Sequence, residues 1–311
     1  MSQLIRLGTR GSQLALRQSN MVADQLRNLG NQVELITIKT EGDQSQASLA
    51  QIGGQGVFTK RLQTALLDGE IDLAVHSLKD LPTVPADGLK IAAVPEREDV
   101  RDALVLNAKT TANSFSELPS GARIGTGSTR RKAQLLYLRK DVVVCDIRGN
   151  VDTRLGKLDS GEFDAVVLAA AGLNRLGLEH RISFLFSREA MLPAVGQGAL
   201  GLETRSDDDA TISALSKLNA SRSHAEVLAE RAMLRELGAG CMAPVGVATH
   251  WSDGKSDGNL SLSGVILSVD GSERIMASET GAPELAVSIG AKVASSLFAD
   301  GGERLLKASM R

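Results

Sequence analysis

Leu67-Asp68-Gly69-Glu70-Ile71-Asp72-Leu73-Ala74-Val75 returns later in the chain as Asp159-Ser160-Gly161-Glu162-Phe163-Asp164-Ala165-Val166-Val167. Each copy ends a helical run and enters a short continuous apolar run, of the kind that forms a strand covered on both faces of a parallel sheet. A second echo lies upstream of each copy. Leu4 to Gly8 is strand-like and is followed by Thr9-Arg10-Gly11-Ser12 and a helical run from Gln13 to Leu29. Ile124-Gly125 is followed by Thr126-Gly127-Ser128-Thr129-Arg130-Arg131 and a helical run to Leu138. Two echoes in one order predict two related α/β units.

The last third of the chain has a different grammar. A helical run from Arg222 to Leu237 precedes strand-like runs at Val245 to Thr249, Leu260 to Val269 and Arg274 to Ser278. Turn-forming Asp253-Gly254 and Asp270-Gly271 separate these runs, and a helix is expected from Pro283 to Phe298. The expected fold class is therefore α/β: two lobes followed by a small α+β domain built on three antiparallel strands. The expected division is 1–97 with about 197–217, then 100–192, then 220–311.

Composition limits what such a chain does. Its 311 residues are 42% hydrophobic and 23% charged, which suits two or three domains with proper cores. A net charge of −2 and 3% aromatic residues argue against a nucleic-acid binder, which needs basic surface and stacking platforms. Met1-Ser2-Gln3-Leu4-Ile5-Arg6 shows no signal-peptide core, and no apolar run reaches membrane-spanning length. The expectation is a cytoplasmic protein with no membrane partner, whose Cys145 and Cys241 are both reduced. His76, His180, His224 and His250 are scattered without metal-ligand spacing, so no metal is expected.

In open α/β sheets, ligands bind beyond the carboxyl ends of the strands. The Gly-Thr turns deliver Arg10 with Ser12, and Arg130 with Arg131, to helix N-termini, where backbone N–H groups favour anions. The strand from Ile71 to Val75 runs through His76-Ser77-Leu78 and delivers Lys79 and Asp80. Arg148, Arg154 and Arg175 follow other strands. Singly, each arginine reads as a solvated charge at a helix start. Together, six like charges repel one another unless a ligand brings carboxylates or phosphates, which guanidinium forks match. Asp80 reads either as a structural partner of Lys79 or Arg10, or as the one carboxylate set among cations. Cys241, in Leu237-Gly238-Ala239-Gly240-Cys241-Met242-Ala243-Pro244, reads either as a small buried hydrophobe or as a reactive thiol on a glycine-flanked turn.

These residues carry a resemblance. Gly8 to Leu16 (GTRGSQLAL), Ala74 to Pro82 (AVHSLKDLP), Glu96 to Ala103, Arg148 to Leu155 (RGNVDTRL), Leu192 to Ala199 (LPAVGQGA) and Gly240-Cys241 with Pro244-Val245-Gly246 occur in order over most of residues 4–250. Together they resemble the hydroxymethylbilane synthase family, also called porphobilinogen deaminases, of tetrapyrrole biosynthesis. The last sixty or so residues resemble it in pattern only.

The resemblance implies three domains, two of them like periplasmic binding-protein lobes. It implies a dipyrromethane cofactor in thioether linkage to Cys241. It also implies a transferase that deaminates four porphobilinogen molecules, joins them head to tail and releases a linear tetrapyrrole with water. It casts Asp80 as the catalytic carboxylate. Ser77, Lys79, Thr126, Ser128, Arg130 and Arg131 become cofactor-side groups, and Arg10, Ser12, Arg148, Arg154 and Arg175 become the groups holding substrate carboxylates. A monomer is expected.

Two positions depart from the family pattern: Gln55 stands where lysine is usual, and Thr129 where leucine is common. A solute-binding protein for polyanions would share the two lobes but not the third domain with Cys241. A transcriptional effector domain would need a DNA-binding element, and no basic helix-turn-helix pattern precedes residue 4 or follows residue 250.

Overall fold

The computed structural model describes residues 4–38, 59–240, 242–252 and 258–309. The chain forms two compact units, Met1–Glu98 with Gly198–His224, and Asp99–Gln197 with Ala225–Arg311. The strands of the described residues are, in chain order, β1 (Leu4–Thr9), β2 (Gln32–Thr37), β3 (Leu73–Ser77), β4 (Leu89–Ala93), β5 (Asp102–Leu106), β6 (Arg123–Gly125), β7 (Val143–Cys145), β8 (Ala165–Ala169), β9 (Phe184–Leu185), β10 (Leu200–Arg205), β11 (Val245–Trp251), β12 (Leu260–Leu267) and β13 (Arg274–Gly281).

The first unit holds a five-stranded sheet in the order β2-β1-β3-β10-β4, and the second holds one in the order β7-β6-β8-β5-β9. The two orders correspond strand for strand. In each sheet the first three strands are parallel, and the fourth runs antiparallel to both of its neighbours. The sheets are thus mixed rather than purely parallel. The reason lies in chain routing: β10 returns to the first sheet late in the sequence, and β5 reaches the second sheet before the strands it joins.

The duplicated stretch explains itself at atomic level. In the first copy the helix Lys60–Leu67 ends, Gly69 takes φ +69, Gly69 N donates to Leu66 O (3.1 Å) and Glu70 N reaches back to Ala65 O (2.9 Å). In the second the helix Val151–Asp159 ends, Gly161 takes φ +86, and the matching bonds run Gly161 N to Leu158 O (3.0 Å) and Glu162 N to Lys157 O (3.2 Å). Glycine reaches this left-handed backbone without a Cβ penalty, so both helices stop at the same place and satisfy their last carbonyls.

The aspartate that follows is a splice onto the sheet. Asp72 N donates to Arg6 O (2.8 Å) while the Asp72 carboxylate accepts from Arg6 N (3.0 Å). Asp164 repeats the pair with Arg123 at 2.9 and 2.7 Å. In the first unit the Asp72 carboxylate also takes the Arg6 and Arg205 guanidinium groups (2.6 and 3.0 Å). Burial opposes its ionisation, but these bonds hold Asp72 below the ordinary carboxylate range.

Some element ends differ from expectation. β3 begins at Leu73 and runs through His76 and Ser77, because pairing with β10 (Ser77 opposite Leu200) extends it past its apolar run. The apolar run from Ala165 to Ala171 is split, with β8 ending at Ala169 and the helix Ala170–Arg175 following. An all-apolar run gives no period by which to choose, and alanine favours the helix.

The third sheet, β11-β12-β13, is antiparallel as expected; β11 and β13 run on to Trp251 and Gly281, past their expected ends, while β12 stops at Leu267, short of Val269. Its inner face packs Val247, Leu260, Leu262 and Ile266 against Ile289, Val293 and Leu297 of the helix Ala286–Ala299. Its other face meets the second lobe through Ala133, Leu192, Ala248, Val265 and Leu267. Val247 N donates to Pro193 O there (2.8 Å).

Candidate active site

In the first unit, β1 and β3 are adjacent and parallel, so the segments that follow them emerge at one sheet edge. After β1 comes Arg10, half-buried, and then Ser12, whose Oγ caps the helix Gln13–Asn28 by accepting from Ala15 N (3.4 Å). After β3 the chain makes a single 3-10 turn, Leu78–Asp80. Leu78 is 1% exposed and its N–H donates to Ala199 O (3.1 Å), which fixes the turn to the sheet. The Ser77 hydroxyl is set by the buried amide of Gln18 (3.0 Å).

Lys79 is half-buried and Asp80 is exposed at the end of this rigid turn. Asp80 makes no hydrogen bond or ion pair among the described residues. It is therefore not the structural partner of Lys79 or Arg10. A carboxylate on a fixed tether with its acceptor capacity unspent is available to a ligand N–H or a developing cation.

In the second unit, β6 lies between parallel β7 and β8, and the corresponding edge gathers the other predicted residues. Thr126 is buried, and its Oγ1 accepts from Ser128 N (3.2 Å). Ser128 caps the helix Thr129–Leu138 by accepting from Arg131 N (3.4 Å). Gly127 abuts the segment after β7: a Cβ there would lie 2.9 Å from Ile147 O and 3.2 Å from Asp146 Oδ1. Only glycine allows that approach. Arg148 is half-exposed and pairs with Asp146 through Nε (2.9 Å). Arg154 donates from Nε to Gly149 O (2.8 Å). Arg175 closes the helix Ala170–Arg175 and is buried rather than solvated.

Arg130 and Arg131 are the decisive pair. They are 4% and 6% exposed and converge on Asp102, which is fully buried at the start of β5. Arg130 Nη1 and Arg131 Nε donate to the Asp102 carboxylate at 2.7 and 2.9 Å, and Gln197 Nε2 adds a third donor at 3.0 Å. Arg130 and Arg131 also donate to Leu192 O (2.7 Å) and Val167 O (3.0 Å). Burial opposes charge on Asp102, yet the two guanidinium groups and the Gln197 bond hold it far below the usual range. Burial and the neighbouring Arg130 push Arg131 down, and Asp102 only partly offsets them.

Two buried cations thus face one buried anion, and Arg130 Nε is buried with no acceptor among the described residues. An uncompensated buried charge of this kind is costly unless a ligand supplies the counter-charge. The donor set of guanidinium, hydroxyl and helix-start N–H groups fits carboxylates.

Cys241 and Gln55 lie outside the described residues. The residues around Cys241 are placed. Gly238 ends the helix Ser221–Glu236 at φ +58, Ala243 N donates to Gly240 O (3.0 Å), and the Thr129 hydroxyl donates to Met242 O. Cys145 is partly buried against Ile147, Leu155 and Phe163. Asp102, Gln197 and Gln18 have no role legible in the sequence alone. The one signal for Asp102 is that it is the last carboxylate of the charged stretch Glu96 to Asp102 and leads directly into the apolar run Ala103 to Leu106.

Among the described residues no group of three or more His, Cys, Asp or Glu is placed to hold a metal ion, and no helix is long and apolar enough to cross a membrane. A likeness to solved structures includes the methionine binding protein MetQ, 14% identical with a TM-score of 0.44 over 73% of this chain and 93% of that one. The periplasmic VFT2 domain of Bordetella pertussis BvgS is 17% identical with a TM-score of 0.41 over 73% of this chain and 92% of that one.

Family models match residues 5–213 as "Porphobilinogen deaminase, dipyromethane cofactor binding domain" and residues 224–299 as "Porphobilinogen deaminase, C-terminal domain". Among similar proteins, porphobilinogen deaminase 1 of Streptomyces coelicolor is 48% identical, covering 97% of each chain. Porphobilinogen deaminase of Thermus thermophilus is 47% identical, covering 98% of each. That of Trichlorobacter lovleyi is 48% identical over 97% of this chain and 96% of its own. With two matched domains spanning nearly its whole length, the chain belongs to the porphobilinogen deaminase family.

Proposed function

We propose that this chain deaminates porphobilinogen and joins four molecules of it head to tail on a dipyrromethane held through Cys241, then releases hydroxymethylbilane by hydrolysis. The observation that carries the reading is the buried charge excess of Arg130 and Arg131 over Asp102, with Arg130 Nε awaiting an acceptor. The bound dipyrromethane supplies the pyrrole carbon to which the first substrate is joined. Thr126, Ser128, Arg130, Arg131, Lys79 and Ser77 are the groups we assign to its carboxylates.

Each substrate brings two further carboxylates, for which Arg10, Ser12, Arg148, Arg154 and Arg175 are assigned. Arg148 exchanges a half-exposed pair with Asp146 for a ligand carboxylate, which loses little, since exposed pairs contribute only ~0–1 kcal/mol. Loss of ammonia leaves a cation on the substrate. Asp80, whose acceptor capacity is unspent, stabilises that cation and assists proton movement at the pyrrole N–H.

The division into 1–97 with about 197–217, 100–192 and 220–311 belongs to the same reading, and three sheets with their own apolar faces support it. So does a cytoplasmic monomer acting without metal, which sedimentation and metal analysis would check. The test is intact mass and turnover on one preparation: a mass excess of two pyrrole rings together with porphobilinogen consumption is expected. A protein with neither would overturn the reading.

A further inference from the structure

Thr129 sits between the capping Ser128 and the buried Arg130, at the first position of the helix Thr129–Leu138. Its hydroxyl donates to the carbonyl of Met242, a bond that spans 113 positions of sequence and joins the helix start to the turn Gly240–Ala243. That turn is otherwise held from its own side. Ala243 N closes it on Gly240 O (3.0 Å), Ala239 N ties back to Leu234 O (3.3 Å), and Leu267 N donates to Pro244 O (3.1 Å). Met242 is 41% exposed, so its side chain does little to anchor it.

Resting on the function proposed above, we infer that Thr129 is a positioning residue for cofactor attachment. Its hydroxyl ties Met242, the residue that follows Cys241 in the chain, to the carboxylate-binding start of the same helix. One residue makes both connections: its side chain grips Met242, which follows Cys241 in sequence, and its backbone leads straight into Arg130 and Arg131. A side chain of the same shape without the hydroxyl leaves the helix, its cap and the arginines intact. It removes the tie and leaves the Met242 carbonyl to water.

The attachment forms a C–S bond as the aminomethyl C–N bond of porphobilinogen breaks, and ammonia leaves with the thiol proton. Thr129 takes part in neither bond. It acts on how often the thiol stands where the clamped carboxylates need it. A neutral hydrogen bond of this kind corresponds to about 2- to 10-fold in rate.

The experiment gives cofactor-free wild-type, Thr129→Val and Thr129→Ser proteins porphobilinogen and follows mass gain with time. Hydrogen exchange at the Ala243 amide is measured on the same samples. Slower loading of Thr129→Val by about 2- to 10-fold, faster exchange at Ala243 and wild-type-like loading of Thr129→Ser are expected. Thr129→Val loading at the wild-type rate, or Thr129→Ser loading as slowly as Thr129→Val, overturns the assignment. If wild-type protein gains no pyrrole, the function itself fails and this inference with it.

Discussion

Replacing Asp102 by asparagine isolates the buried charge cluster. The side chain keeps its shape but loses the negative charge that Arg130 and Arg131 share at 2.7 and 2.8 Å in a fully buried site. Removing one partner of a buried pair typically costs about 3–5 kcal/mol, because the remaining charges stay buried. Here two guanidinium groups remain, and the new amide turns donors toward them. For a unit of this size, that loss lowers the unfolding temperature by about 10 °C.

The only tryptophan, Trp251, lies on β11 in the same unit, with its indole N–H on Glu226 (2.7 Å), so its fluorescence reports the transition. The pH dependence provides an internal check. Asp102 is depressed in the folded protein, so its contribution is fully present above the unfolded value, about 3.9, and is lost as pH falls toward the folded one. The gap between wild type and variant should therefore be constant from pH 7 to 5 and narrow by about 1 kcal/mol at pH 3. A variant within about 1 kcal/mol of wild type at pH 7, or a gap that does not narrow in acid, would refute the reasoning.

Three further outcomes are expected. Asp80→Ala should fold normally and carry its cofactor mass, because the Asp80 side chain makes no hydrogen bond or ion pair among the described residues, yet lose about 10²–10³-fold in turnover; near-normal turnover by a loaded variant would move the chemistry elsewhere. Cys145→Ser should keep the mass of two pyrrole rings and Cys241→Ser should lose it, as read by intact mass. Arg148→Leu, and likewise Arg10→Leu, should leave the protein folded and stall chain elongation, with losses of about 1.5–3 kcal/mol in transition-state binding by porphobilinogen consumption; wild-type consumption by both would leave them as surface charges.

Much of this protein is decided within a few residues of sequence. Gly69 and Gly161 stop two helices in the same left-handed turn, and the aspartates three positions on splice both copies to the sheet. Ser12 and Ser128, at the ends of the two Gly-Thr turns, cap the helices that follow. Such features are legible because the bonds that enforce them are mostly local or repeat at fixed spacing.

Other features depend on partners far away in the chain and carry no local signal. β10 and β5 enter their sheets antiparallel because of where the chain has been, not because of their own residues. Arginines at helix starts read as solvated charges until Asp102, delivered from another strand, buries two of them and leaves one positive charge over. The same holds for Asp80, whose freedom from Lys79 and Arg10 follows from a turn pinned by Leu78, and for Thr129, whose hydroxyl finds a carbonyl 113 positions away. Local chemistry determined which groups the chain carries to each sheet edge; tertiary packing decided which of their charges remain available to a ligand.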